Sequence, residues 1–267
     1  MATVLVTGAR RGIGFDVARR LLARGHRVVA TVHAAAEVAP LQQALAAHGE
    51  RASVVQMDIR QPADRARAAA LDADVLINNA AIGDSGPLLE VDVNRIRATF
   101  ETNVFATIEL TQAVVRRMIA SGKGRAEAAH RGRVILIGSI AGLIPTPYLA
   151  PYAMTKFAME SVAWALRAEL EPFGIFVTLI NPGAYGTGFN KENIDRKYEW
   201  LGKDSLYAGH EKEIRKAEAG ILNFEVRDTA SIAKKIVQAA EAARPRRRYV
   251  APWWQWLSVP FARWMGG

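Results

Sequence analysis

The sequence predicts an α/β fold: a doubly wound, mostly parallel seven-stranded sheet with helices on both faces. Short apolar, β-branched runs alternate with segments of helical period over most of the 267 residues. Such alternation implies right-handed crossovers between parallel strands. The runs are also apolar at successive positions, the pattern of strands buried on both faces. With no linker, repeat or low-complexity tract to divide it, the chain reads as one domain over residues 1–250, followed by a tail over 251–267.

Taken in order, strands are expected at 3–6, 27–32, 53–57, 74–77, 133–138, 176–181 and near 248–250. Helical segments are expected at 13–24, 93–120, 152–173 and 229–243. Residues 121–132 are polar and glycine-containing, and read as an enlarged surface loop. Residues 184–227 follow the sixth strand and mix charges with Tyr185, Phe189, Tyr198, Trp200 and Tyr207. Open α/β sheets bind ligands past the carboxyl ends of their strands, so this segment is the candidate substrate lid.

Composition narrows the chemistry. The chain has no cysteine, which removes disulfides, thiolate nucleophiles and cysteine-based metal sites. His26, His33, His48, His130 and His210 show no metal-ligand spacing, so no metal site is expected. The start lacks the pattern of a signal peptide, and no run approaches the roughly 20 apolar residues of a membrane span. A cytoplasmic location is the expectation. Net charge is +9, from 35 Lys+Arg against 26 Asp+Glu. The basic residues are dispersed apart from Arg244, Arg246, Arg247 and Arg248, and they form no nucleic-acid-binding motif.

The first strand runs into Thr7-Gly8-Ala9-Arg10-Arg11-Gly12-Ile13-Gly14, after which a helix begins. Glycines allow a tight turn and close approach of backbone amides to a pyrophosphate. The helix N-terminus adds free N–H groups and a partial positive charge of roughly half an electron. The spacing Gly-x-x-x-Gly-x-Gly after a threonine resembles the cofactor turn of the short-chain dehydrogenase/reductase family. Asn78-Asn79-Ala80-Ala81 ends the fourth strand, where that family usually reads Asn-Asn-Ala-Gly, and Ala81 is a small departure. Asp58 and Ile59, just past the third strand, resemble the family's adenine-contacting position. The resemblance runs from about residue 3 to 243. It implies a Rossmann-like fold, a nicotinamide dinucleotide cofactor and a homodimer or homotetramer.

Cofactor choice turns on the end of the second strand, where an NAD enzyme commonly places an acid. The matching residue is Val32, in Ala30-Thr31-Val32-His33. With no carboxylate there, a 2′-phosphate is not repelled. Arg11 sits where NADP-preferring relatives often carry a basic residue, and Thr31 and His33 can add hydrogen bonds. NADP(H) is therefore expected over NAD(H).

Tyr152-Ala153-Met154-Thr155-Lys156 places a phenol and an ammonium four residues apart, on one face of a helix. Ser139 follows the fifth strand, thirteen residues earlier. Hydride delivery to a carbonyl builds negative charge on oxygen, which must be protonated. A tyrosine of ordinary pKa is roughly 0.1% ionised at neutral pH, and lowering its pKa to about 7 takes roughly 4 kcal/mol. The Lys156 ammonium and a positive nicotinamide ring can supply that. Tyr152 is then the general acid/base and Ser139 orients the carbonyl oxygen. The resemblance further implies that Lys156 holds the nicotinamide ribose. It also implies that Asn103, in Glu101-Thr102-Asn103-Val104, supports a proton relay. Asn181-Pro182-Gly183 and Thr187 resemble the segment along the nicotinamide.

The leading reading is an oxidoreductase acting on a carbonyl/alcohol pair. Two alternatives come from other classes. One is an inactive nucleotide-sensing protein of the same fold, against which Asn103, Ser139, Tyr152 and Lys156 all stand. The other is a protein led by its basic charge to a membrane or nucleic acid. In the tail, Trp253, Trp256, Leu257, Phe261 and Trp264 share a helical face that Pro260 would bend or break. Three roles stay open for it: peripheral membrane contact, docking over the pocket, or a subunit contact. All three lean towards a hydrophobic substrate.

Overall fold

The computed structural model describes residues 1–124, 131–144, 146–257 and 259–260. Its strands are β1 (Thr3–Val6), β2 (Arg27–Val32), β3 (Ala52–Gln56), β4 (Val75–Asn78), β5 (Arg133–Ile137), β6 (Phe176–Pro182) and β7 (Arg248–Ala251). They form a single sheet in the order β3-β2-β1-β4-β5-β6-β7, with every neighbouring pair parallel. The expected strands all occur, with ends displaced by at most one residue.

Side-chain parity explains why both faces are apolar. Val4, Val6, Ile77, Ile135 and Ile180 face a core completed by α1 (Gly12–Ala23), α2 (Val38–Ala44) and α9 (Ala230–Glu241). Leu5, Leu76, Val134, Leu136 and Leu179 face the other core, under α3 (Pro62–Ala70), α5 (Ala106–Ala120) and α6 (Ala150–Leu170). Alternate residues of one strand thus serve two hydrophobic layers.

The helix expected over 93–120 is broken. α4 (Val93–Phe100) passes through a π-helical turn at Glu101–Phe105 before α5 begins. Such single-turn bulges are frequent at functional sites, and Asn103 within this one is buried. The expected loop over 121–132 lies partly outside the described residues. The stretch after β6 carries α7 (Phe189–Asp195) and α8 (Glu211–Asn223), and α10 (Trp253–Trp256) follows β7. Phe261 and Trp264 of the expected tail face lie outside the described residues. Within them, no helix is long and apolar enough to cross a membrane.

The chain winds outward from β1 to β3 on one side and from β4 to β7 on the other. The reversal lies between β1 and β4, and a crevice at their carboxyl ends is where doubly wound sheets bind ligands.

Candidate active site

The glycine turn occupies that crevice. Gly8 and Gly12 have φ of 65° and 60°, backbone that side chains rarely adopt. Space is equally restrictive. A Cβ at Gly8 would lie 2.8 Å from Ala80 Cα, at Gly12 2.9 Å from Thr187 Cβ, and at Gly14 2.6 Å from Asn79 Nδ2. Asn79 fastens β4 to the turn by donating to the carbonyls of Thr7 (3.0 Å) and Gly8 (2.8 Å). The Thr7 hydroxyl accepts the N–H groups of Asn79 and Ala80, both at 2.9 Å. Arg11, the N-cap residue of α1, supplies no side-chain cap. The helix start therefore keeps the donors and partial charge that an anion seeks. A rigid turn that excludes side chains, before an uncapped helix, fits a dinucleotide pyrophosphate.

Around the adenosine end the structure corrects several expectations. Thr31 is buried, and its hydroxyl accepts the Gly8 N–H at 3.4 Å, so it supports the turn rather than a ribose. A carboxylate is present after all. Beyond β2, a tight turn brings Glu37 back to cap the Ala34 N–H (3.2 Å) and pair with Arg10 (3.0 Å). Arg11 pairs with Glu192 on α7. His33 is exposed, with Nδ1 4.0 Å from Asp58 Oδ2. Hydrogen bonds from the Arg60 guanidinium hold the Asp58 carboxyl below the usual range. The Ile59 side chain packs in the core, so only its backbone remains for a nucleotide.

At the next strand ends, Ser139, Tyr152 and Lys156 come together. A short turn after β5 packs on α6 so closely that a Cβ at Gly142 would lie 2.6 Å from the Lys156 carbonyl oxygen. Ser139 Oγ accepts the Ala141 N–H at 3.1 Å, and a further hydrogen bond joins Ser139 to the Tyr152 side chain. Lys156 Nζ donates to the Ile137 carbonyl at 2.8 Å and lies 5.5 Å from the centroid of the Tyr152 ring. Burial governs both titrations. It pushes the Tyr152 phenol up, with the Ser139 bond opposing, and brings Lys156 down to about 8. The chain alone therefore does not produce the low phenol pKa expected from sequence, because desolvation outweighs the Ser139 hydrogen bond.

Asn103 is also differently engaged. Its side chain accepts from the Ile82 N–H (2.9 Å) and donates to the Ile82 carbonyl (2.8 Å) and Thr155 Oγ1 (3.1 Å). The amide thus ties the segment after β4 to α6, and a relay role would have to use its backbone.

Several contacts, some made by residues already singled out, are not visible in the sequence. Buried Asn181 donates to the Ser139 carbonyl (3.0 Å) and to Glu160 (2.6 Å), and Arg248 binds both Glu160 and Asn181. This network fixes the backbone that carries Ser139. Glu160 stands one helical turn past Lys156, a spacing that was available to notice. Phe189 of α7 lies 5.5 Å from the Tyr152 ring, centroid to centroid. No local signal paired those two rings. Gly83 and Gly86 give room for Asn193 and Trp200 of the covering segment to pack down.

The sequence profile described as short chain dehydrogenase matches residues 2–197. The chain belongs to this family. As a short-chain dehydrogenase/reductase it is an oxidoreductase acting at CH–OH or C=O groups. An uncharacterized oxidoreductase of Bacillus subtilis is 32% identical over 79% of this chain and 74% of the relative. An NADPH-dependent 3-dehydrocapnine reductase of Ornithobacterium rhinotracheale is 34% identical over 66% of this chain and 60% of its own. Retinol dehydrogenase 8 of Bos taurus is 30% identical over 92% and 80%. Among solved structures, a short-chain dehydrogenase from Sphingobium yanoikuyae in complex with NADPH superposes with TM-score 0.73 at 25% identity, covering 98% and 93% of the two chains. One from Burkholderia phymatum in complex with NAD gives TM-score 0.79 at 21% identity, covering 97% and 92%, a likeness of fold.

Proposed function

We propose that this short-chain dehydrogenase/reductase interconverts an apolar carbonyl compound and its alcohol with NADP(H), using Tyr152 as general acid/base. The observation that carries the proposal is the meeting of Ser139, Tyr152 and Lys156 at the strand ends beside the uncapped glycine turn. Bound nicotinamide supplies or accepts the hydride. In reduction, the Tyr152 hydroxyl gives its proton to the carbonyl oxygen, and the Ser139 hydroxyl donates a hydrogen bond to the same oxygen. Oxidation runs these steps backwards. Burial keeps Tyr152 protonated in the cofactor-free chain, the state that reduction needs. Lys156 lies in the same buried space, where its charge favours the phenolate once the proton has left.

Gly8, Gly12, Ile13 and Gly14 would hold the pyrophosphate, with Ala80 beside them and Asp58 and Ile59 near the adenine. Pro182, Gly183 and Thr187 would lie along the nicotinamide, with Lys156 on its ribose. The absence of an acid at Val32, with Arg10, Arg11 and His33 nearby, supports NADP(H). So do the NADPH of the Sphingobium neighbour and the NADPH dependence of the Ornithobacterium relative. Residues 184–227 serve as a substrate lid, with Phe189 over Tyr152 as its contact with the reaction centre. The aromatic residues of the lid and the retinol-related relative support a hydrophobic substrate. Phe157 and Trp164 are exposed on one face of α6, which supports a subunit contact there.

The test is NADPH and NADH consumption over aldehydes and ketones of increasing length and ring size, with wild type beside Tyr152→Phe. NADPH-preferring turnover that grows with apolar size is expected. Loss of Tyr152 should cost about 10²–10⁴ in rate while NADPH still binds. Turnover that survives Tyr152→Phe would overturn the assignment.

A further inference from the structure

We propose that Gln255, in the tail beyond β7, is a positioning residue that clasps both ends of the substrate lid and thereby sets the affinity for the carbonyl substrate. The inference rests on the reading of residues 184–227 as that lid.

α10 is a single short turn, yet it divides its side chains sharply. Trp253 and Leu257 are 72% and 60% exposed, whereas Gln255 between them is 4% exposed. Its carboxamide points into the fold and spans the root of the lid. Oε1 accepts the N–H of Ala184, where the lid begins, at 2.8 Å. Nε2 donates to the carbonyl of Phe224, near the lid's end, at 2.7 Å. The 39 residues between them, including α7 with Phe189, leave and return through these two backbone groups. The main chain closes the same root. The Val226 N–H donates to Ala184 O and the Gly186 N–H to Val226 O, both at 3.0 Å. Trp254 adds an apolar stay, its ring 6.0 Å from that of Phe224.

The chemistry of the clasp is selective. One end of the lid offers a donor and the other an acceptor. A carboxamide meets both from one rigid plane, whereas a carboxylate only accepts and an aliphatic side chain does neither. Gly183 carries the counterpart of this fit, since a Cβ there would collide with Gln255 Oε1. The same amide therefore backs the Gly183–Ala184 peptide from behind, next to the proposed nicotinamide strap. The reaction floor is held independently, through Asn181, Glu160 and Arg248. Loss of the clasp should thus loosen Phe189 and its helix without moving Ser139, Tyr152 or Lys156.

The experiment compares wild type, Gln255→Ala and the isosteric Gln255→Glu. It reads KM and kcat for the best carbonyl of the panel, the Kd of NADPH, and amide hydrogen exchange of residues 184–227 against β5 and α6. Losing one buried hydrogen bond corresponds to about tenfold. Gln255→Glu should raise KM and lid exchange by about that factor and Gln255→Ala by more, with kcat, the NADPH Kd and the exchange of β5 and α6 within about threefold. Unchanged lid exchange in both variants would overturn the proposal. So would exchange that rises equally in β5 and α6, which marks a merely structural residue. If the wild type reduces no carbonyl, the substrate-lid reading fails, and the exchange data alone still decide whether Gln255 is the clasp.

Discussion

Ser139, Tyr152 and Lys156 stand on the ends of β5 and the start of α6, whereas the segment over them reaches its place through side chains from distant parts of the chain. On the floor, Lys156 Nζ binds a strand-end carbonyl, and Asn181 of the adjacent strand holds the Ser139 backbone. Above it, Arg11 reaches Glu192, Ser85 reaches the Asn193 carbonyl, Glu90 receives Ser205, and Gln255 joins Ala184 to Phe224. Strand pairing is cooperative and makes the floor part of the global fold. Isolated side-chain bonds leave a covering segment able to open at smaller cost. The contrast teaches how one chain can join a floor built by strand pairing to a covering segment, the proposed lid, held by separate side-chain bonds.

The largest effect on that contrast should come from the buried pair inside the lid. Lys197 Nζ lies 2.5 Å from Glu218 and donates to the Ile194 carbonyl at 2.9 Å. The Tyr198 hydroxyl donates to the same carboxylate at 2.7 Å, and burial together with that bond pushes its phenol up to about 12. Breaking a buried pair from one side costs about 3–5 kcal/mol. Lys197→Met should therefore destabilise the lid by that order, read by hydrogen exchange or denaturant titration. The double variant Lys197→Met/Glu218→Leu should recover part of the loss. A neutral single variant would show the lid to be less specifically packed than described.

Next in size, Phe189→Ala should raise KM for a carbonyl substrate by about three- to tenfold, the range of a lost aromatic contact. A fall in kcat at constant KM would instead put Phe189 on the side of the floor. Arg11 lies where the two regions meet. Its exposed pair with Glu192 is worth about 0–1 kcal/mol to stability, so Arg11→Ala should fold normally. NADPH affinity should fall about tenfold, as for a lost charged hydrogen bond, with NADH unaffected. Equal losses for both cofactors would remove Arg11 from 2′-phosphate recognition.

A further prediction concerns the floor alone. Burial lowers Lys156 to about 8 in the cofactor-free chain. Below pH 8 folded and unfolded chains both carry the proton. Between about 8 and the ordinary lysine value of about 10.4, only the unfolded chain does. The unfolded state then binds more protons, and stability rises with pH across that window. Relative to Lys156→Met, wild type should gain stability between pH 7.5 and 10 in thermal melts. Parallel curves would mean that the ammonium is better solvated than its burial indicates.

What the sequence made legible follows the same division. The glycine turn, the Asn79 segment, Ser139 and the Tyr152–Lys156 pair recur at spacings fixed by strand ends and helix turns, so local pattern carried them to one place. The lid contacts join residues far apart in sequence, such as Ser85 with Asn193 or Gln255 with Phe224. No period or motif encodes such pairs. Neither Glu37 nor the inward turn of Thr31 is legible in the sequence, because the direction of a side chain at a strand end, and the return of the chain beyond it, depend on tertiary packing. Asn103 sat in an apparently continuous helix, and only the π-helical turn shows why its amide faces Ile82.

The central claim is that Tyr152 passes a proton while the cofactor exchanges a hydride with the substrate carbon. It is tested most directly with NADPH deuterated at the transferring position of the ring. Mass spectrometry of the alcohol would be run for wild type and Tyr152→Phe under single-turnover conditions. The account predicts deuterium on the former carbonyl carbon in the wild-type product. It also predicts a transfer rate lower by about 10²–10⁴ in the variant at equal NADPH occupancy. Deuterium transfer at the wild-type rate in Tyr152→Phe, or an alcohol without deuterium, would contradict it.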